Sequence, residues 1–124
     1  MAEKKRILVA DDEPTLLNML VDFCDDMDLD PIPAVNGGDC LKRASADKPD
    51  AITVDMRMPD MSGLDVIAKL KADPATQAIP VFLCTADGKL HEEDAKKLGA
   101  AGTIPKPLSW QALRQALESV LGKW

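Results

Sequence analysis

Three carboxylates, a hydroxyl and an ammonium stand at the ends of separate apolar runs of this sequence. Asp11 and Asp12 follow the first run, Asp55 ends a central one, Thr85 closes a fourth, and Lys106 follows the last. If these runs are parallel strands, their carboxyl ends meet at one edge of one sheet and bring the side chains together. Such a set predicts a site that binds a divalent cation and handles a phosphoryl group.

Each residue type contributes something different to that chemistry. Carboxylates held close together repel one another, so a cation has to offset their charge, and Mg²⁺ is the common ion where phosphate is also handled. A carboxylate can attack phosphorus and form an aspartyl phosphate, while Lys106 neutralises phosphoryl charge and Thr85 hydrogen-bonds to a phosphoryl oxygen. Taken singly, Asp12 and Thr85 read as helix caps and Lys106 as a solvated surface lysine. Their joint position at strand ends of one polarity favours a shared site.

Short apolar runs alternate with amphipathic stretches along the whole chain. The predicted strands are 7–10, 32–35, 50–54, 79–84 and 101–104. The predicted helices are 15–27, 39–46, 63–71, 89–98 and a last one that Ser109 caps. Runs that are apolar throughout are typical of strands covered on both faces. The pattern therefore predicts an α/β fold with a parallel sheet between two layers of helices.

Prolines predict the order of the strands. Pro31 and Pro33 fall in the second strand and Pro105 in the fifth, and proline cannot donate to a ladder, so it belongs on edge strands. The order 2-1-3-4-5 puts both of these strands at edges and makes strands 1 and 3 neighbours at the switch point where such sheets bind ligands. We expect a flavodoxin-like, doubly wound (βα)5 domain over residues 1–124, with its core at about 5–121.

Composition excludes several other classes of protein. The chain has 124 residues, with 21 acidic against 15 basic side chains and a net charge of -6, which argues against direct nucleic-acid binding. No apolar run approaches the roughly 18 residues of a membrane span. Residues 1–6 are a charged lead-in with no signal-peptide apolar region after it. Cys24, Cys40 and Cys84 lack metal-site spacing and predict reduced thiols and a cytoplasmic location.

Several short motifs occur in a fixed order around these residues. They are ILVADDEP at 7–14, DMRMPDMSG at 55–63, TA at 85–86 and KP at 106–107. Together, over about residues 5–121, they resemble the receiver domains of two-component response regulators, and in particular the stand-alone, chemotaxis-type receivers. The resemblance implies the same doubly wound fold.

The resemblance also implies a phosphoacceptor and a metal site. Asp55 would accept the phosphoryl group. Asp12 and Asp55 would bind Mg²⁺ directly, joined by the main-chain carbonyl of Arg57, and Asp11 would hold a water on the metal. No other cofactor is implied.

The remaining implied roles concern the phosphoryl group and the switch. Lys106 would contact the phosphoryl group, and a cis peptide bond between Lys106 and Pro107 would direct its side chain there. Thr85 would move onto the phosphoryl group. The donor would be a phosphohistidine of a sensor histidine kinase or a histidine phosphotransfer protein, and the domain would catalyse its own phosphorylation and slow dephosphorylation. The face built by the fourth helix, fifth strand and fifth helix would then bind a downstream protein. A monomer is expected, with a dimer on phosphorylation as an option.

Three alternatives stay open at this level. The chain can be a receiver excised from a longer regulator with a DNA-binding or enzymatic output domain. It can be a degenerate receiver that never takes phosphate. It can also be an aspartate-based phosphohydrolase, although such enzymes often carry a second Asp two residues after the nucleophile, where this chain has Arg57.

A few residues depart from the common receiver pattern or border the site. Many receivers have an aromatic residue three positions before the lysine, where this chain has Thr103. This predicts either a switch that relies less on an aromatic rotamer or a flatter partner surface. An Arg57–Asp87 pair is a hypothesis for a partial cover of the phosphoryl group. His91 is expected on the helix surface without a catalytic role, and Trp124 is expected to be disordered.

Overall fold

Strands and helices alternate strictly through residues 4–124, the part of the chain that the computed structural model describes. The strands are β1 (Arg6–Ala10), β2 (Asp30–Ala34), β3 (Ala51–Asp55), β4 (Val81–Thr85) and β5 (Gly102–Pro105). The helices are α1 (Pro14–Asp26), α2 (Gly37–Asp47), α3 (Gly63–Ala72), α4 (Gly88–Lys97) and α5 (Trp110–Leu121). The first three residues of the predicted lead-in, 1–3, lie outside the described residues.

The five strands form one sheet in the order β2-β1-β3-β4-β5, and every neighbouring pair is parallel. The predicted fold and strand order are therefore confirmed. Pro31 and Pro33 lie in the edge strand β2 and Pro105 in the edge strand β5. An edge strand has a neighbouring strand on one side only, so a proline there can lack its N–H on the open side without the loss of a ladder bond.

The sheet separates two apolar layers. Along β1, Leu8 and Ala10 pack towards α2, α3 and α4, whereas Ile7 and Val9 pack towards α1 and α5. The central strands β3 and β4 are buried along their whole length, as expected for strands covered on both faces. Within residues 4–124, no helix has the length and apolar character that a bilayer crossing requires.

Local capping sets where the helices begin. The predicted second helix starts at 39, but α2 starts at Gly37, because the Asn36 side chain accepts a hydrogen bond from the main-chain N–H of Asp39. Ser109 caps α5 as predicted, through a bond from the N–H of Ala112. Glu13, and not Asp12, stands at the N-cap of α1, so the Asp12 carboxylate does not have the capping role that the sequence left open.

Trp124 contradicts the predicted disorder of the chain end. Its indole Nε1–H donates to the main-chain oxygen of Met27 at 2.7 Å. The Arg114 guanidinium lies 5.3 Å from the ring centroid of Trp110 and 5.1 Å from that of Trp124, so it contacts both indoles. These contacts join the segment after α5 to the end of α1.

We expect Trp124→Ala to lower the free energy of unfolding by about 2 kcal/mol, because one hydrogen bond, one cation–π contact and the apolar contacts of the ring are lost together. Trp124→Phe, which removes only the N–H, should cost about half as much. Urea unfolding measures both changes. Lys123→Ala is the control, since that neighbour is exposed, and an equal loss in all three variants would contradict this account.

Candidate functional site

Main-chain pairing continues past the strand ends and carries the site residues into fixed positions. The N–H of Asp11 donates to the oxygen of Ala34 at 3.1 Å, which extends β1 by one residue. In the same way, the N–H of Lys106 donates to the oxygen of Thr85 at 3.1 Å. Asp55 is the last residue of β3. The predicted meeting of these residues at one sheet edge follows from this pairing.

The three acidic residues form a cluster at that edge. Asp11, Asp12 and Asp55 each offer a carboxylate oxygen, and these oxygens lie within 4.8 Å of one another. Asp11 and Asp55 are buried, with 2% and 6% of their surface exposed, whereas Asp12 is exposed. Main-chain N–H groups orient the buried pair, because Asp11 Oδ1 accepts from Glu13 at 3.0 Å and Asp55 Oδ2 accepts from Arg57 at 3.2 Å.

The cluster carries more negative charge than its surroundings compensate. Burial raises the pKa of Asp11, and the charges of Asp55 and Asp12 raise it further. The N–H of Glu13 and the charge of Lys106 oppose this change but do not cancel it. An oxygen-only donor set with an excess of negative charge fits a hard divalent cation such as Mg²⁺.

Lys106 is the cation within the cluster. Its Nζ forms an ion pair with Asp55 Oδ1 and lies 3.8 Å from Asp11 Oδ2. Burial by itself disfavours the charged form, but the hydrogen bond to Asp55 and the charges of Asp55 and Asp11 outweigh it and raise the pKa of Lys106. The Lys106–Pro107 peptide bond is cis, as the resemblance implied.

Thr85 has two hydrogen-bond partners, and one of them is a residue that sequence reasoning missed. Its Oγ1 lies 2.8 Å from His91 Nδ1 and accepts from the N–H of Asp87 at 3.1 Å. His91 was expected on the helix surface without a catalytic role, and the structure places it beside Thr85, in the lining of the same pocket as Asp55. A signal for it does exist, because side chains of the first helical turn lean back towards the preceding strand end.

The pocket over Asp55 has a volume of about 260 Å³. Its lining includes Thr85, Lys106, His91, Arg57 and Asp87. Arg57 and Asp87 border the site mouth as expected, but they form no ion pair within residues 4–124. Asp87 instead caps α4, since its Oδ1 accepts from the N–H of Leu90 at 3.0 Å.

The loop after Asp55 is tied to a neighbouring helix. The Asp60 carboxylate accepts from the N–H groups of Gly38 at 2.8 Å and Gly37 at 2.9 Å, and these bonds lower the pKa of Asp60. A side chain at Gly37 would meet Met61, because the ideal Cβ position lies 2.4 Å from Met61 Cγ. The sequence offered no specific signal for this contact between the loop and α2.

This fold and this acidic, lysine-containing edge define a class of signalling domain. The chain belongs to the response regulator receiver domain family, whose model matches residues 7–118. Receiver domains are signalling switches and not classical enzymes, they interact with histidine kinases and downstream targets, and they bind Mg²⁺ at an acidic site. Family membership favours the receiver prediction over the phosphohydrolase alternative.

Individual relatives are similar over nearly their whole length. The chain is 32% identical to the protein PilH of Pseudomonas aeruginosa, with 94% of this chain and 97% of PilH covered. It is 34% identical to the chemotaxis protein CheY of Listeria monocytogenes, with 91% and 95% covered. The chain shares its fold with the receiver domain of the sensor histidine kinase PA1611 from Pseudomonas aeruginosa, which was solved with a magnesium ion coordinated in its active site cleft. The TM-score is 0.88 at 20% identity, with 97% of this chain and 99% of that domain covered.

Proposed function

We propose that this receiver accepts a phosphoryl group on Asp55 from a phosphohistidine, with Mg²⁺ bound at the acidic cluster. The observation that carries the proposal is the position of the Asp55 carboxylate, which lies within 4.8 Å of the other two acidic side chains and pairs with the ammonium of Lys106. Asp55 also lines the open pocket, so a donor can reach it from solvent.

The transfer itself is a displacement at phosphorus. One carboxylate oxygen of Asp55 bonds to phosphorus while the bond from phosphorus to the donor's imidazole nitrogen breaks, and the electron pair of that bond stays on the nitrogen. Two donors hold the Asp55 carboxylate in one orientation: the main-chain N–H of Arg57 and the side-chain ammonium of Lys106. Positioning of this kind supplies much of the rate of phosphoryl transfer.

The metal-binding roles follow from the donor set. Asp12, Asp55 and the main-chain carbonyl of Arg57 would hold Mg²⁺, and Asp11 would hold one of its waters. When bound, the ion neutralises negative charge on the phosphoryl oxygens. Three carboxylates gathered within 4.8 Å of one another, with Lys106 as the ammonium beside them, support a cation at this place.

Lys106 and Thr85 complete the site on the phosphoryl side. The ammonium of Lys106 would move its contact from the Asp55 carboxylate to the phosphoryl oxygens, and the Thr85 hydroxyl would donate to one of them. Because the phosphoryl group binds the form in which Thr85 is turned inward, it shifts the population towards that form. The face of α4, β5 and α5 then changes its affinity for a downstream protein.

The near end-to-end match to PilH and CheY supports a receiver that works on its own, in the cytoplasm, with a sensor histidine kinase or a histidine phosphotransfer protein as donor. The domain boundary at 1–124, the absence of nucleic-acid binding and the monomeric state are part of this proposal. Its output is a change of protein partner, and its self-catalysed phosphorylation and dephosphorylation set how long that output lasts.

The test is incubation with a small phosphodonor and Mg²⁺, read by intact mass. The wild type is expected to gain the mass of one phosphoryl group, and Asp55→Asn is expected to gain none. Omission of Mg²⁺ with a chelator present should abolish the gain. Asp26→Asn is the matched control, because it makes the same chemical change at an exposed position of α1. An unmodified wild type, or equal modification of Asp55→Asn, would refute the proposal.

A further inference from the structure

The Thr85 hydroxyl is already engaged in this structure. Thr85 is 3% exposed, and it is the last residue of β4, just before the first turn of α4. One hydroxyl offers one proton to donate and two lone pairs to accept with. The N–H of Asp87 takes one lone pair, and the imidazole of His91 takes a second contact at 2.8 Å.

The second contact conflicts with what the phosphoryl group requires. To donate to a phosphoryl oxygen on Asp55, the Thr85 hydroxyl has to point at that oxygen, whereas its Oγ1 now lies 2.8 Å from His91 Nδ1. When Nδ1 is the acceptor, the single proton of the hydroxyl cannot be donated fully to the imidazole and to a phosphoryl oxygen at once. When Nδ1 is instead the donor, the contact still fixes the direction of the Thr85 side chain, because a hydrogen bond weakens steeply when it is bent.

His91 also places a ring beside Thr85 in a chain that has Thr103 where many receivers have an aromatic residue. Thr103 lies on β5 beside Thr85's strand and offers no ring behind the switch threonine. The ring that touches Thr85 belongs to α4 instead, six residues further along the chain. The restraint on the threonine therefore comes from the helix whose face is expected to change on phosphorylation.

We propose that His91 is a positioning residue that holds the Thr85 hydroxyl away from Asp55 in the unphosphorylated receiver and is released when the phosphoryl group takes that hydroxyl. This inference deepens the proposed function, since it rests on the role of Thr85 there. Loss of the His91 contact removes one of the two hydrogen bonds that join the Thr85 hydroxyl to the start of α4, and this change couples the site to the partner-binding face.

The first test uses the imidazole signal itself. His91 is the only histidine of the chain, so its ¹⁵N resonances can be assigned without ambiguity. In the unmodified protein, the Nδ1 shift should report a hydrogen bond and should change in Thr85→Val, which keeps the side-chain shape but lacks the hydroxyl. Addition of a beryllofluoride phosphoryl mimic should move the wild-type signal to the value seen in Thr85→Val.

The second test measures affinity for the same mimic. His91→Phe keeps a ring but has no Nδ1, and it should bind the mimic about fivefold more tightly, because the free state has lost one hydrogen bond. His91→Asn places a polar atom near the position of Nδ1 and should restore wild-type affinity. In a Thr85→Val background, His91→Phe should leave the affinity for the mimic unchanged. If the ring had a merely structural role, His91→Phe would change the affinity in this background as well.

The outcomes separate this inference from the proposed function. If the mimic binds the wild type but leaves the His91 signal unchanged, or if His91→Phe has the same effect with and without the Thr85 hydroxyl, the positioning role is overturned while the phosphoacceptor site stands. If the wild type does not bind the mimic and is not phosphorylated, the proposed function fails. An Nδ1 signal that is identical in the wild type and Thr85→Val would overturn the contact itself.

Discussion

Gly63→Ala is expected to slow phosphorylation of Asp55 by about 10²-fold, although residue 63 has no functional group. An ideal Cβ at this position lies 2.6 Å from the main-chain oxygen of Asp55 and 2.6 Å from Leu83 Cδ1. The leucine can adjust its rotamer, but the main-chain oxygen cannot move alone. Either the end of β3 or the start of α3 has to shift, and we expect the shift to displace the Asp55 carboxylate from its N–H and ammonium partners.

The same substitution should lower the free energy of unfolding by about 2 kcal/mol, the usual cost of forcing extra atoms into a packed region. Chemical unfolding and the rate of modification by a small phosphodonor measure the two effects. Gly88→Ala is the matched control: it is the first residue of α4 as Gly63 is of α3, and the nearest atom to its ideal Cβ is Thr103 Oγ1 at 3.8 Å. Equal rates in Gly63→Ala and Gly88→Ala would contradict the steric argument.

Lys106→Met is expected to have the second large effect, a loss of about 10²-fold in the rate of phosphorylation. The substitution keeps an apolar stem of similar length but removes the ammonium that pairs with Asp55. Removal of one charged donor from a site where phosphoryl charge is stabilised has costs of this order. The rate is measured with a small phosphodonor at saturating Mg²⁺, and Lys42→Met, at an exposed position of α2, is the control. A wild-type rate in Lys106→Met would rule out this role.

The stability of Lys106→Met should depend on the metal. Without Mg²⁺, two buried carboxylates lose their cation, and we expect a loss of about 2 kcal/mol, less than for a fully buried pair because the Lys106 side chain is 21% exposed. Mg²⁺ should recover much of that loss, so the metal should raise the melting temperature of the variant more than that of the wild type. An equal rise in both proteins would argue against competition between lysine and metal for the same carboxylates.

The stability difference between the wild type and Lys106→Met should depend on pH with a definite sign. The folded protein raises the pKa of Lys106 above its ordinary value of 10.5. The stabilisation by its charge is therefore complete below pH 10.5 and is lost as the pH rises through the folded pKa. The stability difference between the wild type and Lys106→Met should be constant at neutral pH and shrink in strongly alkaline solution.

Elements and strand order were predictable because they depend on local chemistry. Apolar runs of strand length, helix caps such as Ser109 and prolines on the edge strands act within a few residues of sequence. Once the strands are parallel, their carboxyl ends must share an edge, so the meeting of Asp11, Asp55 and Lys106 follows from chain direction alone. Boundaries were less accurate at α2, where the Asn36 cap starts the helix two residues before the predicted position.

Contacts between separate elements were not predictable, because they depend on how each helix is rotated and placed against the sheet. Sequence reasoning paired Asp87 with Arg57, whereas Asp87 caps its own helix. It left Trp124 disordered, whereas the indole reaches the end of α1 from 97 residues away.

By itself, the sequence determined which chemical groups this receiver brings to one edge of one sheet, because residue type and strand polarity suffice for that. Only the tertiary structure decided what those groups touch before any phosphoryl group arrives. The contact of His91 with Thr85 requires that α4 start at Gly88 and present its first turn to the end of β4. Distances of that kind follow from packing of the whole chain, and no local pattern specifies them.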